Sequence, residues 1–423
     1  MQKTKKKIYK NGLRVITIPM KDNPTVTVLF LVGAGSDYED KNINGISHFL
    51  EHMSFKGTIK RPSSKIIAHE LDALGCQYNA FTGNEFTGYY AKGNAKKFKQ
   101  IFDIISDIYL NSTFPEKEIE KEKGVIVEEI NMYEDLPQEL VQDLFQKVLY
   151  SDQPAGCSTL GTKENIYKMT RNDFVNYKKN YYSTKNTVVV IAGNINEKEI
   201  YQEINKSFKN ISVSSTKKKI KTKNIQNKPK VLLRYKNTDQ THFILGVRSF
   251  SLFDKRNAKI ILLASILGAG MSSRLFNKLR EEMGVAYYVA SKNMTFLDRG
   301  FFEIFAGVNN ERVYEVIKEI LKECKDLINN KVTEEELKKV KSLIVGNLKM
   351  SLESSDSVAN FYSEQELLRD EVKSLDEKIK EINKVTINDI KQMAKLIFKE
   401  RNLNLAVIGP YKNTKKFEKI LKF

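Results

Sequence analysis

The sequence predicts an α+β protein built from two similar domains, each a mostly antiparallel sheet flanked by helices. Three observations predict it. The chain has 423 residues, more than one hydrophobic core normally spans. Its two halves echo each other at a nearly constant offset. Runs of β-branched residues also alternate with stretches whose apolar residues recur at helical spacing.

The echo is read from paired segments. "NTVVVIAG" ends at Gly193 and "NLNLAVIG" ends at Gly409, 216 residues later. The helix starts "TRNDF" from Thr170 and "TINDI" from Thr386 are again 216 apart, each with a Thr N-cap and Asp three residues on. The strand "TVLFLVGAG" from Thr27 is matched by "THFILGVRS" from Thr241. "ALGCQYNAFTGNEFTGYYA" around Gly75 is loosely matched by the segment around Gly284. Such self-similarity sets the architecture. It gives an N-terminal domain over 1–212, a Lys/Ser/Thr/Asn-rich linker over 213–230, and a homologous C-terminal domain over 231–423. In the first half, helices are expected at 44–57, 64–74, 94–110, 115–134 and 137–149.

Composition narrows the class. With 41% hydrophobic residues, 23 Phe and 19 Tyr, the chain can fill real cores and is not disordered. Net charge is +18, from 70 basic and 52 acidic residues. The lysines are spread along the chain, and the densest basic runs, "KTKKK" near the start and "TKKKIKTKNIQNKPK" at 216–230, carry no interleaved aromatics. That argues against a nucleic-acid partner. The three cysteines, Cys76, Cys157 and Cys324, are scattered and fit a reducing compartment. The apolar run at 25–35 is β-branched and too short to span a membrane, so it reads as a buried strand. The expectation is a cytoplasmic protein with no membrane partner.

The most informative stretch is "HFLEH", 48–52, which holds two of only four histidines. In a helix, His48 and His52 lie one turn apart on one face, with Glu51 beside them. With 4 His and 52 carboxylates, a chance match to this pattern arises in roughly half a percent of such chains. The duplicated helix reads "LLASI" from Leu262, so the fold itself does not require polar residues there. Two histidines leave a catalytic zinc one protein ligand short. His69 and His242 belong to other segments, so a carboxylate must serve. "PEKEIEKEKGVIVEEINMYED" offers Glu122 and, seven residues on, Glu129, but composition alone does not choose Glu129 over Glu128.

"GISHFLEHMSFKGT", "NAFTGNEFTGYYAKG" and "IEKEKGVIVEEINMYED" resemble the pitrilysin-type peptidases with an inverted zinc motif. The nearest branch holds the mitochondrial processing peptidases and their bacterial relatives. The family motif is His-x-x-Glu-His, a spacer of about 76 residues, then Glu, which lands on Glu129. One departure is "QPAGCSTLGT", 153–162, where relatives often begin with His.

The resemblance implies one Zn2+ per chain, held by His48, His52 and Glu129, with Glu51 as general base and Glu122 supporting the site. It implies that a strand edge at Asn79, Ala80, Phe81 and Thr82 pairs with an extended peptide. It also implies that Arg280 and Tyr287, seven apart on either side of a helix C-cap at Gly284, reach the substrate from the C-terminal domain. The implied activity is that of a zinc-dependent endopeptidase cutting peptides or extended unfolded segments. The rival reading is a catalytically silent peptide-binding or scaffold subunit of a peptidase complex. Some relatives divide the zinc motif and the Arg/Tyr pair between two chains. This chain carries both, so a homodimer is expected. "LGAGMSSR", 267–274, lacks the Lys of a phosphate loop and is not a nucleotide site.

Overall fold

The computed structural model describes residues 4–209, 211, 216–369 and 371–423. The expected domain end at 212 and the first linker residues, 213–215, lie outside them. Two sheets organise the chain. The first has strands β1 (Lys5–Ile8), β2 (Arg14–Pro19), β3 (Thr25–Val32), β4 (Gln77–Thr82), β5 (Thr87–Asn94) and β6 (Thr187–Gly193), in the order β1-β2-β6-β3-β5-β4. The second has β7 (Lys230–Tyr235), β8 (Gln240–Arg248), β9 (Ala286–Thr295), β10 (Gly300–Asn309) and β11 (Asn404–Gly409), in the order β7-β11-β8-β10-β9. Without β1 the two orders are the same. In each sheet a single pair is parallel, β2 with β6 and β7 with β11, and the other neighbours are antiparallel. The repeat read in the sequence is thus a repeat of topology.

Local signals placed most elements. The five helices expected in the first half are present as α1 (Ile46–Ser54), α2 (Ser64–Ala73), α3 (Phe98–Asn111), α4 (Glu116–Asp135) and α5 (Pro137–Tyr150), and further helices follow them. Thr170 and Thr386 each open a helix through a reciprocal capping box with Asp173 and Asp389.

The compact units depart from two contiguous halves. Residues 131–157 group with the second unit, and 348–373 group with the first. Every residue of β6 is buried, so its sheet is apolar on both faces. One face carries Val26, Val28, Phe30, Val189 and Ile191 against α1 and α3. The other, with Ile16, Ile18, Leu29, Val188 and Val190, is covered by Val358, Ala359 and Tyr362 of the helix Ser355–Arg369. In the second unit, α5 does the same, packing Val141, Phe145 and Leu149 on Ile244, Phe301 and Ile408. Each sheet therefore takes one covering helix from the opposite half of the sequence.

This packing fixes α1. Ile46, Phe49, Leu50 and Met53 recur at helical spacing and are all fully buried in the first core. Replacing Phe49 by Ala would cost about 3–5 kcal/mol. The opposite flank of α1 is left to carry His48, Glu51 and His52.

Candidate metal centre

α1 and the part of α4 up to Ile130 bring the centre together, both within the first unit. His48, Glu51 and His52 stand on α1, and Glu122 and Glu129 stand two turns apart on one face of α4. His48 Nε2 and His52 Nε2 each lie 3.6 Å from the same oxygen of Glu129, Oε2. Among the described residues, these three form the one group of His, Cys or carboxylate side chains whose ligand atoms all fall within 4.8 Å of one another. Ligands at zinc–N and zinc–O bond lengths around a tetrahedral ion stand about 3.3 Å apart, so the spacing and the donor set suit zinc. Glu128 is exposed on the other side of α4, while Glu129 is turned inward.

Neighbours orient the groups. Glu122 Oε1 is 2.9 Å from His52 Nδ1, which leaves Nε2 of that ring directed at Glu129. The other oxygen of Glu122 pairs with Lys56 Nζ at 2.6 Å. Burial works against ionisation of Glu122, yet its bonds to His52 and Lys56 hold its carboxyl below the usual range. Burial, reinforced by the nearby His52, drives His48 down to about 3, so its imidazole is neutral and ready to ligate. His52 moves the other way. Burial opposes its charge, but the bond to Glu122 and the nearby carboxylates of Glu51 and Glu129 raise it. Burial lifts Glu51 above the usual carboxylate range, and the charge of Glu129 adds to this, while the Thr82 hydroxyl and His52 oppose it. The centre thus sets the carboxyl groups of Glu51, Glu122 and Glu129 against two imidazoles and the Lys56 ammonium.

Glu51 is held by the sheet. Thr82 Oγ1 donates to Glu51 Oε2 at 2.6 Å from the end of β4. β4 is an edge strand whose one ladder is with β5. Tyr78 and Ala80 pack toward the core beside α1, whereas Phe81 turns to the opposite face, near Phe86 and Tyr90. Asn79 is exposed. A cavity of about 330 Å³ opens beside Glu51 and His52, walled by Phe55, Lys56, Ile67 and Tyr78. A larger hollow of about 1180 Å³ runs along Lys5, Pro19–Pro24 and Ile195–Lys198 and contains none of these groups.

The remaining sequence-assigned residues lie in the second unit. Arg280 sits in a π-helical turn, Asn277–Glu282, that is followed by Gly284 at φ 61, the left-handed C-cap conformation. Its Nη1 donates to the Tyr287 carbonyl at 2.6 Å, and Tyr287 is 71% exposed. His69 is exposed on α2, and His242 Nδ1 lies 2.9 Å from the Tyr288 hydroxyl, so neither joins the centre. Sequence reasoning missed three contacts: Lys56 on Glu122, the Thr82 bond to Glu51, and the Glu39 contacts described below. Lys56 carried a signal, because it follows His52 by four residues, although it stands just past the end of α1 at Ser54.

Comparisons with known proteins agree with this picture. Residues 14–163 match the family model described as insulinase, peptidase family M16, and residues 168–344 match that described as the peptidase M16 inactive domain. The first of these contains all five residues of the centre. The chain is 36% identical over 410 residues to the Bacillus subtilis protein named uncharacterized zinc protease YmxG, covering 95% of this chain and 97% of that one. It is 35% identical over 402 residues to a Rickettsia bellii protein also named an uncharacterized zinc protease, covering 95% and 96%. The chain therefore belongs to peptidase family M16, and its relatives are named zinc proteases. Among solved structures, a protease from Helicobacter pylori superposes with a TM-score of 0.91 at 23% identity, covering 97% of this chain and all 100% of that one. A peptidase M16 inactive domain from Pseudomonas fluorescens superposes at 0.89 with 17% identity, covering 97% and 98%. These two speak to the fold alone. Among the described residues, no helix is long and apolar enough to cross a membrane.

Proposed function

We propose that the chain is a zinc-dependent endopeptidase that hydrolyses peptides or extended unfolded segments. The observation that carries this reading is the convergence of His48 Nε2, His52 Nε2 and Glu129 Oε2, with the half-buried Glu51 beside them. His48, His52 and Glu129 would hold the ion, which supplies a Lewis acid for the scissile carbonyl and acidifies the attacking water. Glu51 takes the proton of that water and later delivers one to the leaving amine. Its raised proton affinity suits both roles. Glu122 keeps His52 in the tautomer that presents Nε2. The free edge of β4, at Asn79–Thr82, offers backbone N–H and C=O groups to an extended peptide as an added strand. Arg280 and Tyr287 are assigned to substrate binding and to stabilising the oxyanion. A homodimer in the cytoplasm is the proposed setting. Zinc content together with cleavage of a mixed peptide library, followed by mass spectrometry, tests the reading. Zinc binding without cleavage would instead favour the silent peptide-binding subunit.

A further inference from the structure

The helix that carries the histidines begins at a residue that cannot cap it. Its N-cap is Gly45, at φ 101, where a Cβ would meet the Leu160 carbonyl oxygen at 2.7 Å. A Ser, Thr, Asp or Asn, the usual source of a cap, is excluded there by both conformation and space. The orphan N–H groups of the first turn still need acceptors. Glu39, six residues earlier and only 2% exposed, supplies them. Its Oε2 accepts from Gly45 N at 2.7 Å and its Oε1 from Ser47 N at 2.8 Å. Asn44 Nδ2 donates to Glu39 Oε2 at 2.9 Å and to the Ser158 carbonyl at 3.0 Å, tying the cap to the segment that departs from the family pattern. The Ser47 hydroxyl is 2.7 Å from the Tyr177 hydroxyl, which anchors the same turn from behind.

The two histidines are therefore held in different ways. His52 is gripped through Nδ1 by Glu122. His48 Nδ1 is buried with no hydrogen-bond partner among the described residues. The placement of His48 rests on packing and on the backbone of the first turn, where it is the third helical residue. We infer that Glu39 is a positioning residue of the metal centre: by fixing the first turn of α1, it sets His48 Nε2 against Glu129 and so governs how tightly zinc is held. This rests on the proposed zinc site, and the test separates the two.

The experiment measures zinc affinity by chelator competition, and the visible spectrum of the cobalt-substituted protein, for wild type, Glu39→Gln and Asn196→Ala. Asn196 caps another helix of the same unit, Glu197–Phe208, and serves as a control for lost capping in general. A glutamine presents an N–H2 group where a carboxylate oxygen accepted. Glu39→Gln is expected to lose about 10–100-fold in zinc affinity, the usual range for outer contacts of a metal ligand, with a changed cobalt spectrum. Asn196→Ala is expected to lose stability only. Equal zinc affinity and an unchanged spectrum in Glu39→Gln would overturn the role of Glu39, as would an equal loss in Asn196→Ala. A wild type without zinc affinity would instead overturn the zinc site itself. Should Glu39→Gln not fold, Asn44→Ala decides: it removes one donor to Glu39 and the link to Ser158, and an affinity equal to wild type counts against the inference.

Discussion

The Thr82 hydroxyl donates to Glu51 Oε2 at 2.6 Å, so the end of the edge strand β4 and the proposed base on α1 are joined by one hydrogen bond. A bond to a charged group contributes about 1.5–3 kcal/mol, or about 10–100-fold in rate if it orients the base. Thr82→Val is expected to keep zinc and to lose turnover by about that factor, while Thr82→Ser recovers most of it. Steady-state kinetics beside zinc analysis check this. Full turnover in the Val variant would mean that Glu51 needs no such support.

Glu51 itself is assigned as a base and not as a ligand. Glu51→Gln should retain a full complement of zinc and lose turnover by about 100-fold or more. Elemental analysis of that variant is decisive, because loss of the metal would place Glu51 among the ligands.

The adjacent carboxylates of α4 should behave oppositely. Glu129 faces both imidazoles, while Glu128 is exposed. Glu129→Gln is expected to weaken zinc binding by more than the roughly 10–100-fold that loss of an outer contact costs, and Glu128→Gln to bind zinc as wild type does. The reverse pattern would shift the ligand by one residue.

Acid should destabilise the zinc-free protein through His48. Its folded-state pKa is lowered from 6.5 to about 3 by burial and by the proximity of His52. The unfolded chain therefore binds a proton that the folded chain refuses throughout that window. The stability contributed is fully present above pH 6.5 and falls as the pH drops toward 3. The slope approaches about 1.4 kcal/mol per pH unit. His52, raised instead, gives a slope of opposite sign near pH 6.5 that fades as the unfolded chain also takes up its proton, which is why the comparison is made with His48→Gln. Urea unfolding of the chelated protein between pH 6.5 and 5 should show a steeper loss in wild type than in His48→Gln. Parallel slopes would contradict a neutral, buried His48.

Tyr287 is assigned to the oxyanion and not to the metal. Tyr287→Phe should leave zinc affinity unchanged and reduce kcat by about 100-fold or more. Sedimentation velocity on the same samples checks the proposed homodimer, and a monomer with full activity would remove it.

The sequence by itself determined what is local or periodic. The offset of 216 between Thr170 and Thr386 marked the duplication, and both capping boxes are present. The spacing of His48, Glu51 and His52 followed from the pitch of one helix, as did the shared face of Glu122 and Glu129. Tertiary structure alone decided the contacts between segments distant in the chain. It turned Glu129 inward and Glu128 outward, brought Thr82 to Glu51, and sent the helix Ser355–Arg369 to the first sheet. Such contacts leave no period in a sequence, because their geometry is set by which apolar faces must be covered. The fully buried β6 showed that both faces of its sheet needed cover, but not which helix would supply it.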